Sequence, residues 1–123
     1  MIIPSALIID DDARVHEVMT SLLQARGWQV VHAYNPDDGL AQALAHTFTV
    51  ILLDLNLHAS RDGWAVLAAL PAATRAHTII HSGYISRAEK ATAMTAGAAG
   101  CLTKDYDEKT LDSLLAGLPQ DSA

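Results

Sequence analysis

Short apolar runs alternate along this chain with longer stretches of helical periodicity, and this alternation restricts the fold more than any other feature. Ala6-Leu7-Ile8-Ile9 reads as a buried strand, and Val15, Val18, Met19 and Leu22 then recur at the spacing of one helical face. Gly27 closes that helix, because glycine takes the left-handed C′ conformation at little cost. Trp28 to Ala33 reads as a second strand. Asn35-Pro36-Asp37-Asp38 opens the second helix: Asn35 caps it, Pro36 suits the first position, and the two acids face the positive end of the helix dipole. Phe48 to Leu53 is the most apolar strand and is expected at the centre of the sheet. A loop from Leu55 to Asp62 follows, then a helix from about Gly63 to Leu70 that Pro71 stops. Thr78-Ile79-Ile80-His81 is the fourth strand, and Ser86-Arg87-Ala88-Glu89 is a capping box for a helix that Gly97 closes. Gly100 to Thr103 forms a short fifth strand, and Leu111, Leu114, Leu115 and Leu118 mark a last helical face. Five consecutive βα units predict a parallel sheet with helices on both faces and right-handed crossovers.

The 123 residues suit one domain, expected over 1–118, with 119–123 as a tail or the start of a linker. Half of the residues are apolar, enough for a core. A net charge of −6 disfavours nucleic-acid binding by this domain alone, which needs clustered Lys and Arg. Cys101 is the single cysteine, so neither an internal disulfide nor a thiolate zinc site is available. No apolar run approaches a membrane span, and Met1 to Ser5 lacks the basic region of a secretion signal. A cytoplasmic location without membrane contact is therefore expected.

In an open parallel sheet, ligands bind beyond the carboxyl ends of the strands. Here those ends carry Asp10-Asp11-Asp12, Asp54, Ser82 and, near the fifth, Thr103-Lys104. Crowded carboxylates repel, and a hard cation such as Mg²⁺, which takes oxygen ligands and keeps several waters, relieves the repulsion. Lys104 offers a mobile positive charge to a phosphate oxygen, and Ser82 offers a hydroxyl. Asp54 is the expected nucleophile, since carboxylates form acyl phosphates in phosphoryl transfer. Asp12 reads equally well as a plain cap for the first helix.

Several segments carry a resemblance: Leu7-Ile8-Ile9-Asp10-Asp11-Asp12, Val50-Ile51-Leu52-Leu53-Asp54-Leu55-Asn56-Leu57, Asp62-Gly63, Ile79-Ile80-His81-Ser82-Gly83, and Ala96-Gly97-Ala98-Ala99-Gly100 leading to Leu102-Thr103-Lys104. In this order and spacing, the chain resembles the receiver domains of two-component response regulators over nearly its whole length. The resemblance implies a flavodoxin-like sheet of order 2-1-3-4-5. It implies that Asp54 accepts phosphate from the phosphohistidine of a sensor histidine kinase or phosphotransfer protein. It also implies that Asp11, Asp54 and the backbone carbonyl of Asn56 bind Mg²⁺, with Asp10 acting through water or a hydrogen bond. Ser82 and Lys104 would hold phosphoryl oxygens and report them to the fourth and fifth helices. The domain would be a switch with autophosphorylation and autodephosphorylation chemistry rather than a turnover enzyme. The surface of the fourth helix, fifth strand and fifth helix would meet a partner or a second copy.

Four departures stand out from that pattern. His58 occupies the usual proline position four residues after the acceptor, where it could tune hydrolysis or be an ordinary loop residue. The stretch from Asp54 to Gly63 is one residue longer than usual. Asp105 replaces the proline that usually follows the lysine in a cis bond. A cis bond before a non-proline residue costs about 3 kcal/mol, so trans is expected. Cys101 stands where an aromatic switch residue is usual, leaving Tyr84 or Tyr106 to carry a signal. His77 and His81 share a strand face at a spacing of four, which suits packing or exposure better than a metal pair. Cys101, Trp28 and Trp64 are expected to pack, and Arg87 and Lys90 to lie on an exposed helix face.

Other functions on such a sheet are weighed by the same residues. A Mg²⁺-dependent phosphohydrolase commonly needs an acid two residues after its nucleophile, and Asn56 cannot transfer a proton. A flavin carrier needs a glycine- and hydroxyl-rich phosphate loop, and this chain has three acids there. A non-phosphorylated interaction module of the same fold is the remaining alternative.

Overall fold

The first strand, β1 (Ser5–Ile9), lies between β2 (Gln29–Ala33) and β3 (Val50–Leu53) in the computed structural model, which describes residues 3–57 and 63–119. Beyond β3 come β4 (Thr78–Ser82) and β5 (Gly100–Thr103), and every neighbouring pair is parallel. The sheet order is therefore 2-1-3-4-5, as the resemblance implied. All four residues of β3 and all five of β4 are buried. A strand covered by helices on both faces has no polar side to show, and this explains the unbroken apolar run of β3.

Strand alternation divides the interior into two cores. Leu7, Ile9, Ile51, Leu53 and Ile80 meet helices α2 (Pro36–Ala45), α3 (Gly63–Ala69) and α5 (Arg87–Thr95), through Ala43, Val66, Leu67 and Ala93. On the other face, Ile8, Leu52 and Ile79 meet α1 (Ala13–Ala25) and α6 (Glu108–Ala116), through Met19, Leu23 and Leu111. Trp64 packs at the edge of the first core and Trp28 at the edge of the second, as expected for packing residues.

Local chemistry starts and stops these helices. The Asn35 side chain accepts the Asp38 N–H, and Ser86 and Glu89 complete a reciprocal capping box. Asp12 accepts from the Arg14 N–H, so this acid does serve as a helix cap. Gly27 has φ +83°, a left-handed conformation that strains any side chain. Pro71 does end α3, but it also begins a further helical turn, α4 (Ala72–Arg75), and accepts from the Thr74 and Arg75 N–H groups. The described residues thus form six helices rather than five. The fourth and fifth helices of the sequence analysis are α5 and α6.

His77 lies before β4 rather than within it, and its Nδ1 is 2.9 Å from the Thr49 carbonyl. His81 lies inside β4 and is buried. Arg26 joins the end of α1 to α6 by exposed ion pairs, 2.7 Å to Asp112 and 2.9 Å to Glu108. Exposed pairs orient elements more than they stabilise them.

Removing the capping hydroxyl tests the local part of this account. Ser86→Ala is expected to lower unfolding free energy by about 1 kcal/mol. Urea denaturation measures the loss, and faster amide exchange should be confined to the first turn of α5.

Candidate functional site

Parallel register builds the site. Ile9 and Leu53 are partners across β1 and β3, so the next residues, Asp10 and Asp54, emerge side by side. The ladder runs on past the strand ends: the Asp10 N–H donates to Ala33 O, the Asp54 N–H to Ile9 O, and the Lys104 N–H to Ser82 O. Backbone bonds therefore hold Asp10, Asp54, Ser82 and Lys104 at one edge.

The two buried aspartates are held alike. One oxygen of Asp10 accepts the Asp12 N–H at 2.8 Å, and one oxygen of Asp54 accepts the Asn56 N–H at 3.0 Å. These Asx turns leave each second oxygen facing inward. Lys104 Nζ lies between them, 3.0 Å from Asp10 Oδ2 and 3.2 Å from Asp54 Oδ2. The contact to Asp54 is a hydrogen bond. The approach to Asp10 is an ion pair without hydrogen-bond geometry, so Asp10 Oδ2 stays buried without a donor. Burial pushes the Asp10 carboxyl above its ordinary range, and the charge of Asp54 adds to this. The Asp12 N–H and Lys104 oppose the shift without cancelling it. Burial alone would lower Lys104, but Asp10 and Asp54 together hold its ammonium above the usual range.

Asp11 is half-buried beside this pair, and carboxylate oxygens of Asp10, Asp11 and Asp54 come within 4.8 Å of one another. Three converging oxygens, one of them a buried acceptor without a donor, fit a hard divalent cation. Asn56 adjoins them, lining the same open polar cavity of about 580 Å³ as Asp11, Asp54 and Lys104. Its Nδ2 donates to Ser82 Oγ at 3.2 Å, which leaves the hydroxyl hydrogen of the buried Ser82 free to donate elsewhere.

Gly63 explains the Asp62-Gly63 pair seen in the sequence. Its N–H donates to Leu55 O, and a Cβ at this position would lie 2.1 Å from the Asp54 backbone carbonyl. Asp62 itself and His58, with its suggested influence on hydrolysis, lie outside the described residues.

Beneath Lys104, the buried His81 donates toward the Leu102 carbonyl at 3.2 Å, and its ring meets Tyr106 edge-on at 5.5 Å. The Lys104–Asp105 bond is trans. Cys101 is half-buried against the core, and burial raises its thiol pKa, as suits a packing residue. Sequence reasoning did not single out His16 and His32. His16 contacts the Asp10 carbonyl from below, and no local pattern marks a contact made between elements.

The sequence model of the response regulator receiver domain matches residues 6–116. The chain belongs to this family. Among curated relatives, it is 35% identical over 115 residues to the transcriptional regulatory protein ZraR of Salmonella typhimurium, covering 89% of this chain and 26% of ZraR. It is 31% identical over 111 residues to DltR of Streptococcus agalactiae, covering 89% of this chain and 48% of DltR. The chain thus spans half or less of these regulators. Among solved structures, a response regulator of Burkholderia pseudomallei, described with a phosphorylated aspartic acid, calcium ion and citrate, aligns at TM-score 0.79 and 29% identity. That alignment covers 96% of this chain and 68% of the other. The chemotaxis protein CheY4 of Vibrio cholerae shares the fold at TM-score 0.80 and 23% identity, over 96% of this receiver domain and all of CheY4 (100%). Among the described residues no helix is long and apolar enough to cross a membrane.

Two measurements check the geometry of this receiver domain. Gly63→Ala is expected to cost about 2 kcal/mol or more, because its new methyl group meets backbone that has to move. Gly83→Ala, where a Cβ would meet nothing within 4 Å, should change stability by less than about 0.5 kcal/mol. The second concerns His81, whose burial lowers its pKa below the ordinary 6.5. The unfolded chain then binds more protons than the native state just below pH 6.5, so stability falls as pH drops through this window. His81→Gln should flatten the slope in urea titrations between pH 7 and pH 5, relative to the parent protein.

Proposed function

We propose that this receiver domain accepts a phosphoryl group on Asp54 from the phosphohistidine of a sensor histidine kinase or phosphotransfer protein, in a Mg²⁺-dependent reaction. The observation that carries this reading is the buried Asp54 carboxylate, held by the Asn56 N–H on one oxygen and by Lys104 on the other, beside two further acids. One Asp54 oxygen attacks phosphorus, the phosphorus–nitrogen bond breaks, and the imidazole leaves with its electron pair. Asp10, Asp11 and Asp54, with the Asn56 carbonyl, would hold the cation, Asp10 through water. When bound, Mg²⁺ neutralises charge on the phosphoryl oxygens.

Lys104 is the group best placed to respond. Its ammonium already touches the acceptor, and a doubly charged phosphate on Asp54 attracts it more strongly than a carboxylate does. The Ser82 hydroxyl would donate to a second phosphoryl oxygen. The Lys104 N–H bond to Ser82 O couples the ends of β4 and β5, so movement at either is felt by both. The surface of α5, β5 and α6 is the proposed output face, for a partner or a second copy. With Cys101 in β5, the internal aromatic on offer is Tyr106, which contacts His81 and whose hydroxyl reaches the Met19 sulfur at 3.9 Å. Tyr84 instead stands 74% exposed. We assign 1–118 to the receiver domain and 119–123 to a tail or linker.

A phosphohydrolase is disfavoured by Asn56, whose amide holds Ser82 and carries no transferable proton. Incubation with a small phosphodonor and Mg²⁺ should add one phosphoryl mass to the intact protein. Asp54→Asn should abolish the adduct. No adduct on a folded, Mg²⁺-bound protein overturns the proposal and leaves the constitutive interaction module, whereas steady release of phosphate from esters favours the hydrolase.

A further inference from the structure

We propose that His16 and His32 form a second metal site, for a borderline transition-metal ion such as Zn²⁺ or Ni²⁺, separate from the carboxylate cluster. His16 projects from α1 and is only 2% exposed, whereas His32 is an exposed residue of the edge strand β2. Their Nδ1 atoms face each other at 2.8 Å. The other nitrogen of His16, Nε2, lies 2.7 Å from the Asp10 carbonyl oxygen. A carbonyl can only accept, so His16 Nε2 carries a hydrogen and donates it. Between the two Nδ1 atoms there is room for a single proton.

That arrangement is the one a metal-binding histidine adopts. Such residues typically donate their second ring N–H to a backbone carbonyl or carboxylate, which fixes the tautomer and aims the other nitrogen at the ion. His16 has this support already built. Tyr34 lies over the His16 ring, with centroids 4.1 Å apart and planes inclined by 26°, and its ring also stacks toward His32 at 6.2 Å. The plane of the buried His16 ring is therefore fixed by packing before any ion arrives.

Replacing the shared proton by an ion needs a small movement. Tetrahedral zinc binds imidazole nitrogen at about 2.0–2.1 Å, which sets two such nitrogens about 3.3 Å apart. The pair has to open by roughly half an ångström, and His32, exposed on the edge strand, is free to supply it. In the uncharged pair, His32 gives up the proton on Nδ1 and takes one from water at Nε2, so the only charge added is that of the ion. Waters complete the coordination. Donor chemistry sorts the ions between the two sites: imidazole nitrogen suits Zn²⁺ and Ni²⁺, while the carboxylate cluster suits Mg²⁺.

The test is a Zn²⁺ titration of the whole chain by calorimetry at neutral pH, with excess Mg²⁺ present to occupy the carboxylates. His16 is buried, and its replacement risks the fold, so the deciding variant is the exposed His32→Gln, with circular dichroism checking that it stays folded. Removing one of the two ligands is expected to weaken the tightest Zn²⁺ binding by about tenfold or more. In the parent protein the ring resonances of His16 and His32 should shift at the first equivalent, ahead of those of His46 and His77. Equal Zn²⁺ affinity in the folded His32→Gln protein, or ring signals of His16 and His32 that stay in place through saturation, would overturn the site.

Discussion

A single lysine between two buried carboxylates governs this molecule. Asp10 and Asp54 are almost wholly removed from water, and two adjacent desolvated anions are costly to keep ionised. Lys104 sits within 3.2 Å of both and offsets part of that cost. The compensation is incomplete, because one ammonium serves two anions and Asp10 Oδ2 keeps no hydrogen-bond donor. A site left short of positive charge is one that a cation completes, and one in which a new phosphate would draw Lys104 away from Asp10. The same imbalance thus favours both the metal binding and the switching proposed for this site.

The backbone around the pair is built to tolerate no drift. Asx turns at Asp10 and Asp54 fix one oxygen of each, and the sheet ladder extends one residue past the strand ends to fix their main chains. Gly63 brings the start of α3 against the Asp54 carbonyl, closer than any side chain allows. On the opposite side of β1, the His32–His16 pair ends on the Asp10 carbonyl. The Asp10–Asp54 edge is therefore braced from α3 on one side and from α1 and β2 on the other. These braces come from three separate elements, of which α3 lies some way along the chain from α1 and β2.

Features governed by near neighbours were legible in the chain. The Asn35 cap, the Ser86–Glu89 box, the left-handed Gly27 and the succession of five βα units depend on residues within a few positions, or on a periodicity that repeats, whereas the sheet order 2-1-3-4-5 came only with the family resemblance. Pro71 was legible only in part. Its missing N–H reveals a break, but whether a helix restarts beyond it depends on packing over the sheet edge. His77 looked like a strand residue because it adjoins an apolar run, yet the ladder begins one residue later. His16 carries no local signal at all, since its partners are the carbonyl of Asp10, just past β1, and a ring contributed by β2.

The sequence by itself determined the parallel sheet, the burial of its central strands and the identity of the acids, hydroxyl and amine at one edge. It could do so because strand ends in such a sheet converge by topology, whatever the side chains do. Tertiary structure alone decided which oxygen of each aspartate faces Lys104, that Gly63 presses on Asp54, and that two histidines meet beneath the site. Those outcomes turn on distances of an ångström or less between groups on different elements, and a pattern of residue types along one chain does not specify separations that fine.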